Sequence, residues 1–335
     1  MMHNMQSRRR FLASLSAVGA TGLFARAPSA AAEPPPETTK VRLPRWIGAS
    51  YCWAGGYLAE ELLQAEGFKV YYFQGDPNVD HSVWIARGET DFSINHPPLH
   101  ITSIDAGMPI KVLAGLHSGC LELIANPTIR SVADLRGKRV GVDVRGSTGH
   151  VMLTLMVAYV GLDPAKDIDW VFGTGSVKLF VDGKIDAILG APPRPQQLRA
   201  KNIGHVILNI TTDPPWSQHF CCMISARSDF VNNYPIATKR ILRAILKAAD
   251  FCASNPQLAA RQLVDREFLP SYEYALQTLG DIRYDRWRDY DAEDSVRFYA
   301  LRMQETGIIK SSPQKVIAEG TDWRFLNELK RELKT

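Results

Sequence analysis

The stretch Lys138-Arg139-Val140-Gly141-Val142-Asp143-Val144-Arg145-Gly146-Ser147-Thr148-Gly149-His150-Val151-Met152 decides how this chain folds. Arg139 to Val142 is β-branched and short, so it reads as a strand. Gly146 and Ser147 turn the chain, and Thr148 opens a helix that runs to Val160 and is closed by Gly161. Strand, glycine turn and helix in that order form one unit of an α/β sheet, whose ligand edge is the carboxyl end of its strands. The same grammar extends on both sides. Strand Leu121 to Ala125 and a short helix capped by Ser131 precede it. Strand Ile168 to Phe172, helix Val177 to Val181, strand Ala187 to Leu189, helix Gln196 to Lys201 and strand Val206 to Ile210 follow.

An earlier series carries the same alternation. Trp46-Ile47-Gly48-Ala49 and Val70 to Phe73 read as strands, with helix Tyr57 to Glu66 between them placing Leu58, Leu62 and Leu63 on one face. Helices at Val79 to Ala86 and Leu99 to Ala106 flank strand Phe92 to Ile94, and strand Ile110 to Leu116 follows. One more strand, Cys221 to Ala226, comes after the turn-rich Thr211 to Pro215, and everything beyond it is helical. A tail of helices cannot build a sheet of its own, so it must clad one already made. The expected fold is α/β with two lobes, each a parallel or mixed sheet clad by helices. Residues 41–120 with 222–335 form the first and 121–221 the second. Two chain crossings make a hinge, and a small ligand would sit between the lobes.

The chain has 335 residues, 45% of them apolar and 22% charged, which excludes disorder, collagen and coiled coil. Its net charge is +4, from 39 Lys+Arg against 35 Asp+Glu. Four of those cations, Arg8, Arg9, Arg10 and Arg26, lie within the first 32 residues beside no acid, so the rest balances at 35 against 35. A neutral body without a local basic stripe argues against a nucleic-acid role. Ser7-Arg8-Arg9-Arg10-Phe11-Leu12, a moderately apolar stretch to Phe24, and Ala30-Ala31-Ala32 together resemble a twin-arginine export signal cleaved after Ala32. The apolar stretch is too short to span a bilayer. Residues 33–40, with Pro34-Pro35-Pro36, read as an extended leader, and the exported protein is expected to be soluble, periplasmic and monomeric. Cys52, Cys120, Cys221, Cys222 and Cys252 are odd in number, so at least one thiol stays unpaired and no framework is implied; buried free thiols are the simplest expectation.

Four runs then carry a family resemblance: Ala59 to Phe68 (AEELLQAEGF), Arg87 to Phe92 (RGETDF), Asp134 to Val142 (DLRGKRVGV) and Gly183 to Ala187 (GKIDA). In that order, on that lobe plan, the chain resembles the nitrate/sulfonate/bicarbonate-type solute-binding proteins of ABC importers, which share a fold with the thiamine-pyrimidine synthases. The resemblance covers nearly all of residues 41–335. It implies a type II periplasmic binding fold that closes on a small, anionic ligand (a sulfonate, nitrate, bicarbonate, organic acid or pyrimidine-type compound) and hands it to a membrane permease with its ATPase. Two alternatives share the fold: an iron-dependent enzyme of the thiamine-pyrimidine kind, and a sensing module for a membrane receptor.

Candidate contacts follow from the carboxyl ends of the strands. Gly146, Ser147, Thr148 and His150 form a turn whose backbone N–H groups and helix dipole suit an anion, although a plain helix cap would look the same. Tyr51, Cys52, Trp53 and Tyr57 are read as an aromatic wall in the matching turn of the first lobe. Asn95 and His96 follow strand Phe92 to Ile94, and His117 and Ser118 lie at the first crossing. Pro192 and Arg194 follow strand Ala187 to Leu189, where Arg194 could meet a carboxylate or sulfonate. Trp216, on the return crossing, is read as a lid.

Two histidine and cysteine patterns bear on metal binding and catalysis. His96 and His100 are spaced i, i+4, but Pro97-Pro98 set His96 before the helix rather than on its face. Cys221-Cys222 with His219 is similar to the cysteine-rich iron segment of the synthases, but only two cysteines are present and neighbouring strand residues point to opposite faces. No nucleophile elbow, Walker loop or paired-carboxylate motif occurs, so binding without turnover, cofactor or metal is expected. Asp281 to Asp294 is read as a surface loop that could touch the permease.

Overall fold

Among the described residues, short apolar strands separated by amphipathic helices pair into three sheets. The structure, a computed structural model, describes residues 33–45, 50–76 and 79–333. The expected strand at Trp46 to Ala49 and the export signal with its cleavage site lie outside the described residues. The first sheet pairs β1 (Lys40–Pro44) in parallel with β2 (Lys69–Phe73), joined through α1 (Ala54–Ala65). The next elements are α2 (His81–Ala86), β3 (Phe92–Asn95), α3 (Pro97–Asp105) and β4 (Ile110–His117).

A five-stranded sheet follows, from β5 (Glu122–Ala125), β6 (Lys138–Val142), α4 (Thr148–Tyr159), β7 (Ile168–Phe172), α5 (Ser176–Val181), β8 (Ala187–Gly190), α6 (Arg194–Ala200) and β9 (His205–Asn209). Its order is β7-β6-β8-β5-β9, with β6 parallel to both neighbours and β5 antiparallel to both of its own. The carboxyl ends of β6, β7 and β8 therefore share one edge. The sequence predicts a cap at Ser131, and Ser131 and Asp134 form a capping box on the short turn before β6.

The chain then returns as β10 (Cys222–Arg227), which inserts antiparallel between β3 and β4. A strand with neighbours on both sides must bury both faces, and Cys222 to Ala226 are all buried. The remaining helices are α7 (Ser228–Asn233), α8 (Pro235–Ser254), α9 (Pro256–Asp265), α10 (Tyr272–Asp281), α11 (Ala292–Glu305), α12 (Pro313–Gly320) and α13 (Arg324–Glu332). On α8 the buried stripe Ala237, Ile241, Leu242, Ile245, Leu246 and Ala249 faces the core, where each large aliphatic side chain contributes about 1.5–3 kcal/mol. Helices α7 (6 residues) and α12 (8 residues) are absent from the sequence reading because they are shorter than the window in which helical periodicity is read. No helix among the described residues is long and apolar enough to cross a membrane.

The two crossings are tied to each other. Cys120 and Cys221 form a disulfide across a sequence separation of 101 residues, while Cys52, Cys222 and Cys252 are free and buried. The Cys221 N–H donates to the His117 carbonyl at 2.9 Å. Gly119 has φ +72°, and a Cβ there would meet the Thr211 backbone, so glycine alone fits this crossing. The segment after α10 is not a free surface loop: Tyr284 and Trp287 are fully buried, and Arg283 makes an isolated bridge with Ser118.

Candidate functional site

Between the five-stranded sheet and the sheets containing β1 to β4 lies a cleft of about 700 Å³, with an adjoining recess of about 270 Å³. One wall is built from the turn before α1 and the ends of β3 and α2. The other comes from the carboxyl ends of β6, β7 and β8, the edge at which an α/β sheet presents its loops and helix N-termini.

On the second wall, Gly146 (φ +81°) turns β6 into α4, a conformation side chains resist. Ser147 precedes α4 in an extended conformation, φ −65° and ψ 166°, and makes no side-chain cap bond. The first-turn N–H groups of α4 are therefore available to a guest. Ser147, Thr148 and Gly149 line the cleft. His150 does not line it. Its Nδ1 accepts the Gly146 N–H at 3.1 Å and its ring packs edge-on against Trp170 and Phe172, so it braces the turn instead. Burial, then the nearby Arg145 charge, lowers its pKa.

Arg194 and Pro192 also line this wall. The Arg194 guanidinium is held 3.0 Å from Asp143, which also accepts the Ser176 hydroxyl at 2.7 Å. Its charge is spent on a partner of the same wall. Arg145 lines the recess, stands 4.0 Å over the Phe172 ring, and has no carboxylate partner among the described residues.

The facing wall is aromatic, with uncharged imidazoles at the cleft and Asp80 at the recess. Trp53 packs edge-on to His81 at 4.5 Å, and both line the cleft with Cys52. Burial pushes His81 down to about 3 and His96 down to about 4, so both imidazoles are uncharged at neutral pH. His96 approaches Thr148 Oγ1 with Nδ1 at 3.5 Å and Cys120 Sγ with Nε2 at 3.4 Å, linking the two walls. The Asn95 amide donates to Asp80 at 2.8 Å and accepts the His96 N–H at 2.9 Å, which fixes Asp80 at the recess.

Of the residues read from sequence, Cys52, Trp53, Asn95, His96, Gly146, Ser147, Thr148, Pro192 and Arg194 come together around the cleft and its recess. Others lie behind it. Tyr51 is buried in the short turn before α1, and Tyr57 stacks on Phe268 at 4.6 Å. His117 is fully buried, with Nε2 on the Cys52 carbonyl at 3.1 Å, and Ser118 bridges Arg283. Trp216 is not a lid: it is buried against Phe298, Tyr299 and Tyr159. The sequence reading missed Asp80, His81, Asp143 and Arg145. The last two lie in the same post-strand turn as Gly146, so the rule that selected Gly146 reaches them too.

Sulfur chemistry clusters beneath the cleft. Donor atoms of His96, Cys120, Cys221 and Cys222 lie within 4.8 Å of one another, as do those of Cys52, His117 and Cys222. The Cys222 hydrogen bond holds the Cys52 thiol well below its usual pKa, while burial pushes Cys222 well above. With Cys120 and Cys221 joined, two of the first four donors have no thiolate to give, so this set does not fit the iron site of a synthase. His219 stacks on Phe298 at 4.0 Å with Nδ1 3.6 Å from Asp294, and is not among those donors. His100 is likewise spent in the core, on Met223 and Ser82.

A family model described as NMT1/THI5 like matches residues 53–259. A binding protein of Brucella abortus is 31% identical over 137 residues, which is 40% of this chain and 42% of that protein, so the chain spans about two fifths of that relative's length. Two solved structures share the fold. The periplasmic nitrate-binding protein NrtA from Synechocystis aligns over 89% of this chain and 90% of its own, at 16% identity and TM-score 0.72. The alkanesulfonate-binding protein SsuA from Xanthomonas axonopodis, bound to MOPS, aligns over 82% and 96%, at 15% identity and TM-score 0.65.

Proposed function

This chain belongs to the NMT1/THI5-like family, and from that premise we propose that it is an exported solute-binding protein. It captures one small anionic solute between two lobes, residues 41–120 with 222–335 and residues 121–221, and delivers it to an ABC import permease coupled to its ATPase. The uncapped N-terminus of α4, facing the aromatic Trp53 and His81 across the cleft, is the observation that carries this reading. Helix dipole and free N–H groups stabilise an anion, and Trp53 supplies apolar surface opposite.

The role is binding rather than turnover. The uncharged His81 and His96 are poor proton donors at neutral pH, and the binding-protein relatives favour carriage over chemistry. The names of the nitrate- and sulfonate-binding proteins of the same fold support a periplasmic carrier of anions. The arginine-rich N-terminus supports twin-arginine export with cleavage near Ala32, and the carrier works as a monomer.

Tryptophan fluorescence tests this. Because Trp53 lines the cleft, a ligand should change emission saturably, with a micromolar Kd that requires only about −8 kcal/mol. A panel of sulfonates, nitrate, bicarbonate, aromatic acids and pyrimidines supplies the probes; silence across all of them counts against the proposal.

A further inference from the structure

The recess beside the cleft carries opposite charges on its two walls. Asp80 stands on the wall of β3 and α2, with one carboxylate oxygen accepting the Ser82 N–H at 2.9 Å and the other the Asn95 amide at 2.8 Å. Those bonds fix its position and leave lone pairs on both oxygens. Arg145 stands on the wall of β6 and α4, braced over Phe172 and without a carboxylate partner among the described residues. Asp143 and Arg194, the other charged pair in the lining, satisfy each other within one wall. A simple anion would meet Arg145 and the α4 N-terminus while leaving Asp80 to repel it.

We propose that the ligand is a zwitterion, whose anionic group lies at Arg145 and the N-terminus of α4 and whose protonated amine lies at Asp80. This rests on the solute-binding reading and replaces its plain anion with a molecule that carries an anionic and a cationic group. A cation on the ligand turns the Asp80 repulsion into a charge-assisted hydrogen bond. Because each charge engages a different wall, only a molecule carrying both joins them, which gives selectivity as well as affinity.

Matched probes decide it by titration calorimetry: 4-(aminomethyl)benzoate against 4-methylbenzoate, and 3-aminopropane-1-sulfonate against propane-1-sulfonate. The amine-bearing member of at least one pair should bind about tenfold more tightly or better, the scale of one charge-assisted hydrogen bond. Asp80→Asn keeps an N-cap acceptor for α2 and loses the acceptor of the Asn95 amide, so circular dichroism first establishes that it folds, and it should abolish that preference while leaving the desamino probe unchanged or tighter. Arg145→Gln should weaken both members. Equal binding within both pairs, a preference that survives Asp80→Asn, or binding of neither zwitterion overturns the inference. If nitrate or a plain sulfonate binds in the fluorescence panel while the zwitterions do not, the carrier function stands and this inference alone falls. If Asp80→Asn lowers the Tm of the ligand-free protein, as loss of the Asn95 hydrogen bond would, with no change in selectivity, the inference also falls.

Discussion

Replacing Thr148 with proline removes one backbone donor from the proposed anion site while sparing the helix that carries it. Proline is tolerated at the first position of a helix because that N–H has no intrahelical partner. It also forces the preceding residue into extended conformations, and Ser147 already sits at φ −65°, ψ 166°. No backbone acceptor takes the Thr148 N–H among the described residues. The structural loss is confined to the Thr148 Oγ1 contact with His96 at 3.5 Å, which is at the outer limit of a hydrogen bond. A hydrogen bond to a charged acceptor contributes about 1.5–3 kcal/mol, so the variant should bind an anionic ligand roughly 10- to 150-fold more weakly. Thr148→Ala, which keeps the N–H and loses the hydroxyl, should fall well short of that. Calorimetric titration reads the affinities, and circular dichroism with thermal melting confirms that both variants fold. Wild-type affinity in folded Thr148→Pro would refute the assignment of this helix terminus as the anion contact.

Three further outcomes follow from the same geometry. Trp53→Phe should abolish the ligand-induced fluorescence change, whereas Trp216→Phe should retain it, because Trp53 lines the cleft and Trp216 is buried against Phe298 and Tyr299; a ligand-induced change of wild-type size in Trp53→Phe would contradict the cleft assignment. His96 is lowered to about 4 by burial from its ordinary 6.5, so the unfolded chain takes up that proton first as pH falls. Its contribution to stability is unaffected above 6.5 and declines by about 3 kcal/mol between 6.5 and 4; urea midpoints for His96→Gln should fall less steeply over that window, and an unchanged slope would show that His96 is not desolvated. Removing the Cys120–Cys221 disulfide by double serine substitution opens a loop of about one hundred residues and should cost about 2–5 kcal/mol in denaturant unfolding; equal midpoints would mean that the bridge does not form in solution.

The strand and helix order was legible because the units are short, strongly patterned and punctuated by glycine: Gly67, Gly88, Gly107, Gly137, Gly161 and Gly183 all take positive φ. Strand β10 is likewise apparent, but its insertion between β3 and β4 is a long-range pairing that no local pattern encodes. At the site, position along the chain located the turns correctly and left side-chain direction undetermined. Tyr51, Tyr57, His117 and Trp216 stand in the expected turns and crossings yet point into the core, where their area is buried. Arg194 shows the complementary limit: it does reach the cleft, but its partner Asp143 is 51 residues away in sequence, so the neutralisation could not be foreseen. The disulfide is similar, since an odd cysteine count gives no pairing until the two crossings are brought side by side.

The most direct test of the account is a thermal-shift screen of the protein beginning at Glu33 against the anion and zwitterion panels, followed by the same screen on Thr148→Pro. A ligand present at about one hundred times its Kd should stabilise the native state by about 2.7 kcal/mol and raise Tm by several degrees, and the gain should shrink in the variant. A carrier of small solutes must show at least one such shift. Unchanged melting across both panels, or an equal shift in Thr148→Pro, would contradict the claim that this cleft and this helix terminus hold the solute.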